Sequence, residues 1–514
     1  MERRSSPGRL RGFVRRPTAA EFQGIAADHD IILTDAEAEE VAEAAAGMLG
    51  AVDRIDDLPV PSIPVRYTQR NPGRRPTSQE DPYNAFIRLC EVKGAPSGPL
   101  AGKRVGIKDN IKVAGVPMTN GSRLHRDYVP DHDATVVERL LDAGATIVGK
   151  LNMDDFSWSG TGETSTFGPT QNPRNPAFSP GGSSSGSGSA VASGHVDMAI
   201  GADQAGSVRI PASWCGVVGI KATHGLIPTF GATYMDHTID FLGPLAPSVA
   251  DAALMLEAIA GEDPRDPQWV RGSIRTETYT KALTGDIAGL RVGVVREGFD
   301  WGFAERDVVD SVRAAIAKLE SLGAIISDVS IPWWPDAWPI EATLLSHSVS
   351  ATIDSGGEGF SRGGYADPAF QQALGKGLRS ASGHDLAPFF LVSYVVGEYL
   401  RRDYFSAYWG KAQNLRMALR QQVDDVFAHV DVLVTPTTAI KPSRLLDEPL
   451  TLRALGEKGS SNTHNTCIFN LTGHPALSVP CGTGADSLPI GLQVAGRHWE
   501  ESTILRVAHA FEQA

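Results

Sequence analysis

From Leu100 onward, short β-branched runs alternate with stretches of helical periodicity. Arg104–Ile107 and Thr146–Val148 read as strands, and Ala134–Ala143 between them reads as a helix. Leu290–Val295, Val308–Leu322 and Ala324–Val329 repeat the strand, helix, strand order, and Asp431–Val434 is a strand ending at Pro436. Asp35–Leu58, rich in Ala and Glu, predicts an amphipathic helix or two, and the polar stretch Tyr67–Pro82 predicts a loop. The block Trp333–Trp409 is less regular and carries much of the aromatic content. Such alternation predicts an α/β layered fold, a central mixed sheet with helices on both faces.

Gly182–Gly243 breaks the pattern. It is dense in Gly and Ser, yet holds apolar runs such as Val196–Ile200 and Val217–Ile220 that a flexible linker would lack. Small residues here predict an ordered core in which backbone segments approach closely.

The net charge of −13 argues against a phosphate-binding surface, so no nucleic-acid partner is expected. Arg3, Arg4, Arg9, Arg11, Arg15 and Arg16 crowd the N-terminus and read as a solvated arm. No apolar stretch follows them and no run reaches about 18 apolar residues, so neither a secretory signal nor a membrane span is expected. Cys90, Cys215, Cys467 and Cys481 are scattered, which predicts free thiols in a reducing cytoplasm. The histidines have no paired helical spacing and no cysteine companions, so no metal and no cofactor is expected.

Two tempting motifs fail. Gly144–Lys150 matches a phosphate-binding loop up to its lysine, but Leu151 stands where Ser or Thr should hold magnesium. Gly182–Gly186 fits a nucleophile elbow around Ser184, yet the proline-broken segment Asn172–Pro180 before it cannot be a central strand. What remains is Lys108 at the end of a strand, Ser183 after two glycines at the start of a small-residue helix through Ala192, and Ser207 within Asp203–Arg209. Singly, such a lysine is ordinarily solvated and such a Gly/Ser run is ordinarily a turn. Their joint occurrence, in order, is the signal.

This combination closely resembles the amidase signature family of serine amidases. Gly106–Asp109, Gly149–Asp154, Pro180–Ser184 and Asp203–Arg209 carry the likeness, which extends from Leu100 to Gly261 and resumes in Asp431–Pro436 and Asn465–Ala514. The resemblance implies Ser207 as acyl-forming nucleophile, Ser183 as a bridging serine in a cis peptide after Gly182, and Lys108 as base. It implies an oxyanion hole at Gln204, Ala205 and Gly206, and leaves Ser184, Asp203 and Arg209 as structural support. It divides the chain into a helical extension (1–66), a signature core (67–330), a variable aromatic-rich pocket region (331–425) and a C-terminal return to the core (426–514). One departure is visible: Ala205 stands where the family usually has glycine, which is expected to narrow the hole or restrict φ.

A serine hydroxyl needs a base in hydrogen-bond reach, and lysine serves only when neutral. Lowering its pKa from about 10.4 to about 7.5 costs roughly 4 kcal/mol. Burial can supply that, and a carboxylate partner would undo it. Asp109 is adjacent, but neighbours on an extended segment point to opposite sides.

Within the family, Asp203-Gln204, Ser207–Ala212, Thr238–Pro244 and Asn465–Arg506 look most like amidases that accompany nitrile hydratases. The expected activity is therefore hydrolysis of a small-molecule carboxamide by a homodimer. Alternatives from the same family are an aryl-acylamidase, carbamate or ester hydrolase, and the glutamine-hydrolysing component of a tRNA-dependent amidotransferase, which Gly149–Asp154 and Thr166–Thr170 resemble.

Overall fold

The computed structural model describes residues 14–58, 61–355, 364–381, 385–446, 451–459 and 461–514. Arg3, Arg4, Arg9 and Arg11 of the basic arm lie outside these residues. By contacts the chain groups into two compact units, one running up to Pro64 with Asp367–Ala369, the other comprising Val65–Ala366 and Phe370–Ala514.

The first unit is helical. Helices α1 (Ala19–Ala27) and α2 (Asp35–Asp56) each begin in a capping box, Thr18 with Glu21 and Thr34 with Glu37, so the otherwise unpaired N–H groups of the first turn are satisfied locally.

In the second unit the strands are β1 (Arg70–Arg74), β2 (Phe86–Lys93), β3 (Arg104–Lys108), β4 (Thr146–Leu151), β5 (Met198–Asp203), β6 (Val218–Lys221), β7 (Phe241–Ala246), β8 (Arg291–Val295), β9 (Ile325–Val329), β10 (Val432–Pro436), β11 (Ala476–Thr483) and β12 (Pro489–Gly496). They form one sheet in the order β1-β2-β4-β3-β5-β7-β6-β11-β12-β10-β8-β9. β3 runs parallel to β4 and β5, and β8 parallel to β9 and β10, whereas the remaining pairs are antiparallel. The sheet is mixed, as expected.

Helices α3 (Thr135–Asp142), α4 (Ser185–Ala192), α5 (Arg209–Cys215), α6 (Val249–Ile259), α7 (Arg306–Ser321) and α14 (Glu501–Gln513) cover it. The alternation along β5 shows how. Met198, Ile200 and Ala202 point into a cluster with Val136 and Leu140 of α3 and Leu256 of α6. Ala199 points the other way, into a cluster with Ala190 of α4 and Ala212 of α5. Every residue of β5 is buried, as a strand covered on both faces requires.

Two local expectations are corrected. The predicted loop Tyr67–Pro82 contains β1. Pro72 is tolerated there because β1 lies at the sheet edge, where a missing N–H costs no ladder bond. The irregular block Trp333–Trp409 is largely helical: α8 (Ala337–Asp354), α9 (Pro368–Ser380), α10 (Pro388–Tyr404) and the start of α11 (Ala407–Phe427). α10 buries Phe390 but exposes Val395 and Tyr399, so its apolar residues trace no single stripe. Helices α12 (Leu452–Gly459) and α13 (Cys467–Thr472) precede the last two strands. The four cysteines are unpaired, and no helix among the described residues is long and apolar enough to cross a membrane.

Ile200 is fully buried in the central strand. Ile200→Ala is expected to cost about 2–5 kcal/mol, read as a lowered urea midpoint with an unchanged m-value.

Candidate active site

Lys108 is the last residue of β3, which lies between β4 and β5, and its side chain is wholly buried. The Lys108 Nζ lies 2.7 Å from Ser183 Oγ and 3.4 Å from the Ala202 carbonyl oxygen of β5. Burial pulls the amine down to about 7, against the opposing pull of Asp154, Asp203 and Asp240. Asp109 turns to the other side, where its carboxylate accepts from the Thr119 N–H (2.8 Å) and hydroxyl (2.5 Å) and lies 3.2 Å from Lys150 Nζ.

Ser183 follows a cis Gly182–Ser183 peptide and precedes α4, which begins at Ser185 and not at Ser183. A β-carbon at Gly182 would fall 2.0 Å from Asp154 Oδ2, so glycine alone fits. The Asp154 carboxylate is held by the Gly162 N–H (2.9 Å) and by the Thr164 N–H (3.0 Å) and hydroxyl (2.9 Å), and burial raises it to about 6. Ser184 Oγ donates to the Ala202 carbonyl at 3.1 Å and accepts the Ala202 N–H at 3.2 Å.

Ser207 lies in the turn from β5 into α5 and is 7 % exposed. The turn is built on Asp203, whose carboxylate accepts from the Gly206 N–H (2.8 Å), the Val208 N–H (3.1 Å), Arg209 Nε (3.0 Å) and Nη2 (2.8 Å), and Asn470 Nδ2 (2.8 Å). Burial alone would raise this acid, but Arg209 and Asn470 bring it down to about 2. Arg209 also donates to the Thr466 carbonyl, Gln493 Oε1 and Asn470 Oδ1, so its donors are well used in the interior. The Thr466 hydroxyl donates to the Ala205 carbonyl at 2.5 Å.

Of the expected oxyanion donors, the Gly206 N–H donates to the Asp203 carboxylate in this structure. The N–H groups of Gln204, Ala205 and Ser207 donate to no acceptor among the described residues. Gly206 is needed for its backbone, with φ +129° and a β-carbon position 2.2 Å from Thr466 Oγ1. Ala205 keeps a negative φ, so its methyl brings no backbone strain; it packs against the cluster around Trp334 and lines a cavity. Lys108 and Ser183 are thus joined, whereas no hydrogen bond among the described residues joins Ser207 to Ser183.

That cavity, of about 250 Å³, opens beside Ser207 and Gln204. Its apolar wall is Trp158, Met235, Trp338, Leu345, Phe389, Val392 and Val396, with polar groups from Ser157, Ser159, Ser346, Ser393 and Thr463. None of the described lining residues carries a charge. Of the aromatic block, Trp338 and Phe389 reach the cavity, while Trp334 and Phe390 pack in the interior. Sequence reasoning missed Trp158 and Met235. Trp158 is delivered by a turn in which Phe156 and Ser157 have φ of 50° and 66°, and neither is a residue type that announces such a turn.

The Amidase family model matches residues 87–505. The A subunit of glutamyl-tRNA(Gln) amidotransferase from Exiguobacterium sibiricum is 40 % identical over 439 residues, covering 85 % of this chain and 88 % of that one. Among solved structures, the protein of the same name from Thermotoga maritima superposes with a TM-score of 0.68 at 30 % identity, covering 84 % and 88 %. The peptide amidase of Stenotrophomonas maltophilia does so with a TM-score of 0.66 at 30 % identity, covering 81 % and 83 %.

Arg209→Met is expected to leave Asp203 buried without its ion-pair partner, at a cost of about 3–5 kcal/mol. Chemical denaturation checks this, and a loss below about 1 kcal/mol would show that Asn470 and the backbone donors suffice.

Proposed function

Since the chain belongs to the amidase family, we propose that it hydrolyses a carboxamide with an apolar acyl group through an acyl-enzyme on Ser207. The observation that carries the chemistry is the buried Lys108 amine 2.7 Å from Ser183 Oγ, with the adjacent acid Asp109 turned away to Lys150.

Neutral Lys108 takes the proton of Ser183 as Ser183 takes that of Ser207, and Ser207 Oγ bonds to the substrate carbonyl carbon. The contact between the two serines forms as substrate orders the Ser207 hydroxyl; such catalytic contacts are often loose before substrate binds. The N–H groups of Gln204, Ala205 and Ser207 receive the oxyanion, a contribution typically worth about 3–4 kcal/mol per donor. The proton returns along the same path to the leaving nitrogen, the C–N bond breaks, and ammonia or an amine departs. Water then attacks the ester, giving its proton to the relay, and the acid is released.

The uncharged cavity supports an apolar acyl group, alkyl or aryl, in an amide, anilide, ester or carbamate. A second reading is favoured by the 40 % identity to a protein named for its place in a glutamyl-tRNA(Gln) amidotransferase: this chain would then hydrolyse glutamine, with other chains of an assembly as partners in place of a second copy. Glutamine carries an α-ammonium and an α-carboxylate, and the described lining offers no opposite charge to either.

On a panel of alkyl and aryl amides, an anilide, a carbamate and glutamine, kcat/KM for the best apolar amide is expected to exceed that for glutamine by at least about 100-fold. Ser207→Ala should lower it by at least about 10⁴-fold. Faster turnover of glutamine, with ammonia released, would select the second reading.

Below about 7 the Lys108 amine holds its proton and cannot accept one, so kcat/KM should rise as pH passes about 7 and level off above it. Lys108→Met should abolish most activity and remove this acid limb from the residual rate. A flat profile from pH 5 to 9 in the parent enzyme would count against the relay.

A further inference from the structure

Away from the cavity, three side chains converge from segments far apart in the chain. They are Asp424 near the end of α11, His474 in the turn between α13 and β11, and His498 just after β12. One ligating atom of each lies within 4.8 Å of the other two. His474 Nε2 is 2.9 Å and His498 Nδ1 3.9 Å from Asp424 Oδ1, and the imidazole centroids are 3.9 Å apart. A tetrahedral zinc ion with bonds of about 2.1 Å holds its ligand atoms about 3.4 Å apart, so the two measured separations bracket the required one.

The hydrogen bond behind the His498 ring sets its tautomer. His498 Nε2 lies 3.1 Å from the Thr472 carbonyl, which can only accept, so the proton sits on Nε2 and Nδ1 presents its lone pair. His474 Nδ1 lies 2.9 Å from the Thr472 hydroxyl, which can donate or accept; with no ion present Nε2–H donates to Asp424 Oδ1 at 2.9 Å, and metal binding would move that proton to Nδ1, where the hydroxyl accepts it, freeing Nε2 to ligate. Metal-bound histidines are oriented in this way, each donating its other N–H to an oxygen behind it. His474 is fully buried, while Asp424 and His498 keep side-chain exposures of 41 % and 15 %, which gives an ion an entry path and a fourth position for water. Arg420 is only loosely engaged, 3.6 Å from the other Asp424 oxygen.

We propose that Asp424, His474 and His498 form a binding site for a divalent transition-metal ion of the zinc type. It would clamp α11 to the C-terminal end of α13. α13 is the helix whose Asn470 holds Asp203, and Thr466 just before it holds Ala205, so the clamp would brace the nucleophile turn from behind. Its part is to position, and no step of the reaction passes through it.

The full-length chain, treated with EDTA and desalted, is titrated with zinc chloride by calorimetry and by thermal melting. One equivalent should bind and raise Tm, and cobalt(II) should give the visible absorption of a tetrahedral site. His498→Ala and Asp424→Asn should each weaken zinc binding by at least about tenfold. Crystals soaked in zinc report the same site without any variant, by an anomalous peak between the three side chains. No uptake, equal affinity in both folded variants, or a peak elsewhere would overturn the proposal and leave a plain His474–Asp424 hydrogen bond.

Discussion

An amine taken out of water without a counter-ion is the constraint around which the second unit is built. Lys108 lies wholly inside, and four carboxyl groups lie within its electrostatic reach or next to it in sequence. Each is committed elsewhere. Asp109 goes to Lys150 and Thr119, Asp154 to the Gly162 and Thr164 donors, Asp203 to Arg209 and Asn470, and Asp240 to the N–H groups of Met235 and Asp236. Any one of them pairing directly with Lys108 would stabilise the ammonium and leave Ser183 facing a group unable to accept its proton. Burial therefore dominates, and the amine sits close to neutrality.

The same economy shapes the backbone around the serines. Gly182 and Gly206 occupy positions where a β-carbon would strike Asp154 or Thr466, and a buried ion pair at Asp203 and Arg209 fixes the turn that presents Ser207. A buried pair of this kind adds little net stability, because both ions were desolvated to make it. It sets geometry: the Asp203 carboxylate draws in the N–H groups of Gly206 and Val208, leaving those of Gln204, Ala205 and Ser207 directed elsewhere.

The catalytic candidates and the cavity come from different parts of the chain. Lys108, Ser183 and Ser207 come from the sheet and its adjoining turns, whereas the cavity wall is assembled mostly from the Trp158 turn and from α8 and α10. Relatives of similar fold bear names as different as peptide amidase and glutamyl-tRNA(Gln) amidotransferase. A shared fold does not by itself fix the reaction's substrate.

What the sequence by itself determined are the features encoded within one short segment: the strand ending in Lys108, the glycines before Ser183, the Asp203–Arg209 turn and the alternation that makes a mixed, covered sheet. Each rests on residue types and spacings of a few positions, where local geometry follows from local chemistry. Tertiary structure alone decided which atoms meet across long separations. It spent the Gly206 N–H on Asp203, brought Trp158 and Met235 to the same wall as Phe389, made β1 an edge strand despite Pro72, and drew Asp424, His474 and His498 together from positions that show no metal-binding spacing. The reason is physical: such pairings depend on strand register and on how helices seat against the sheet, and these are set by packing summed over the whole core.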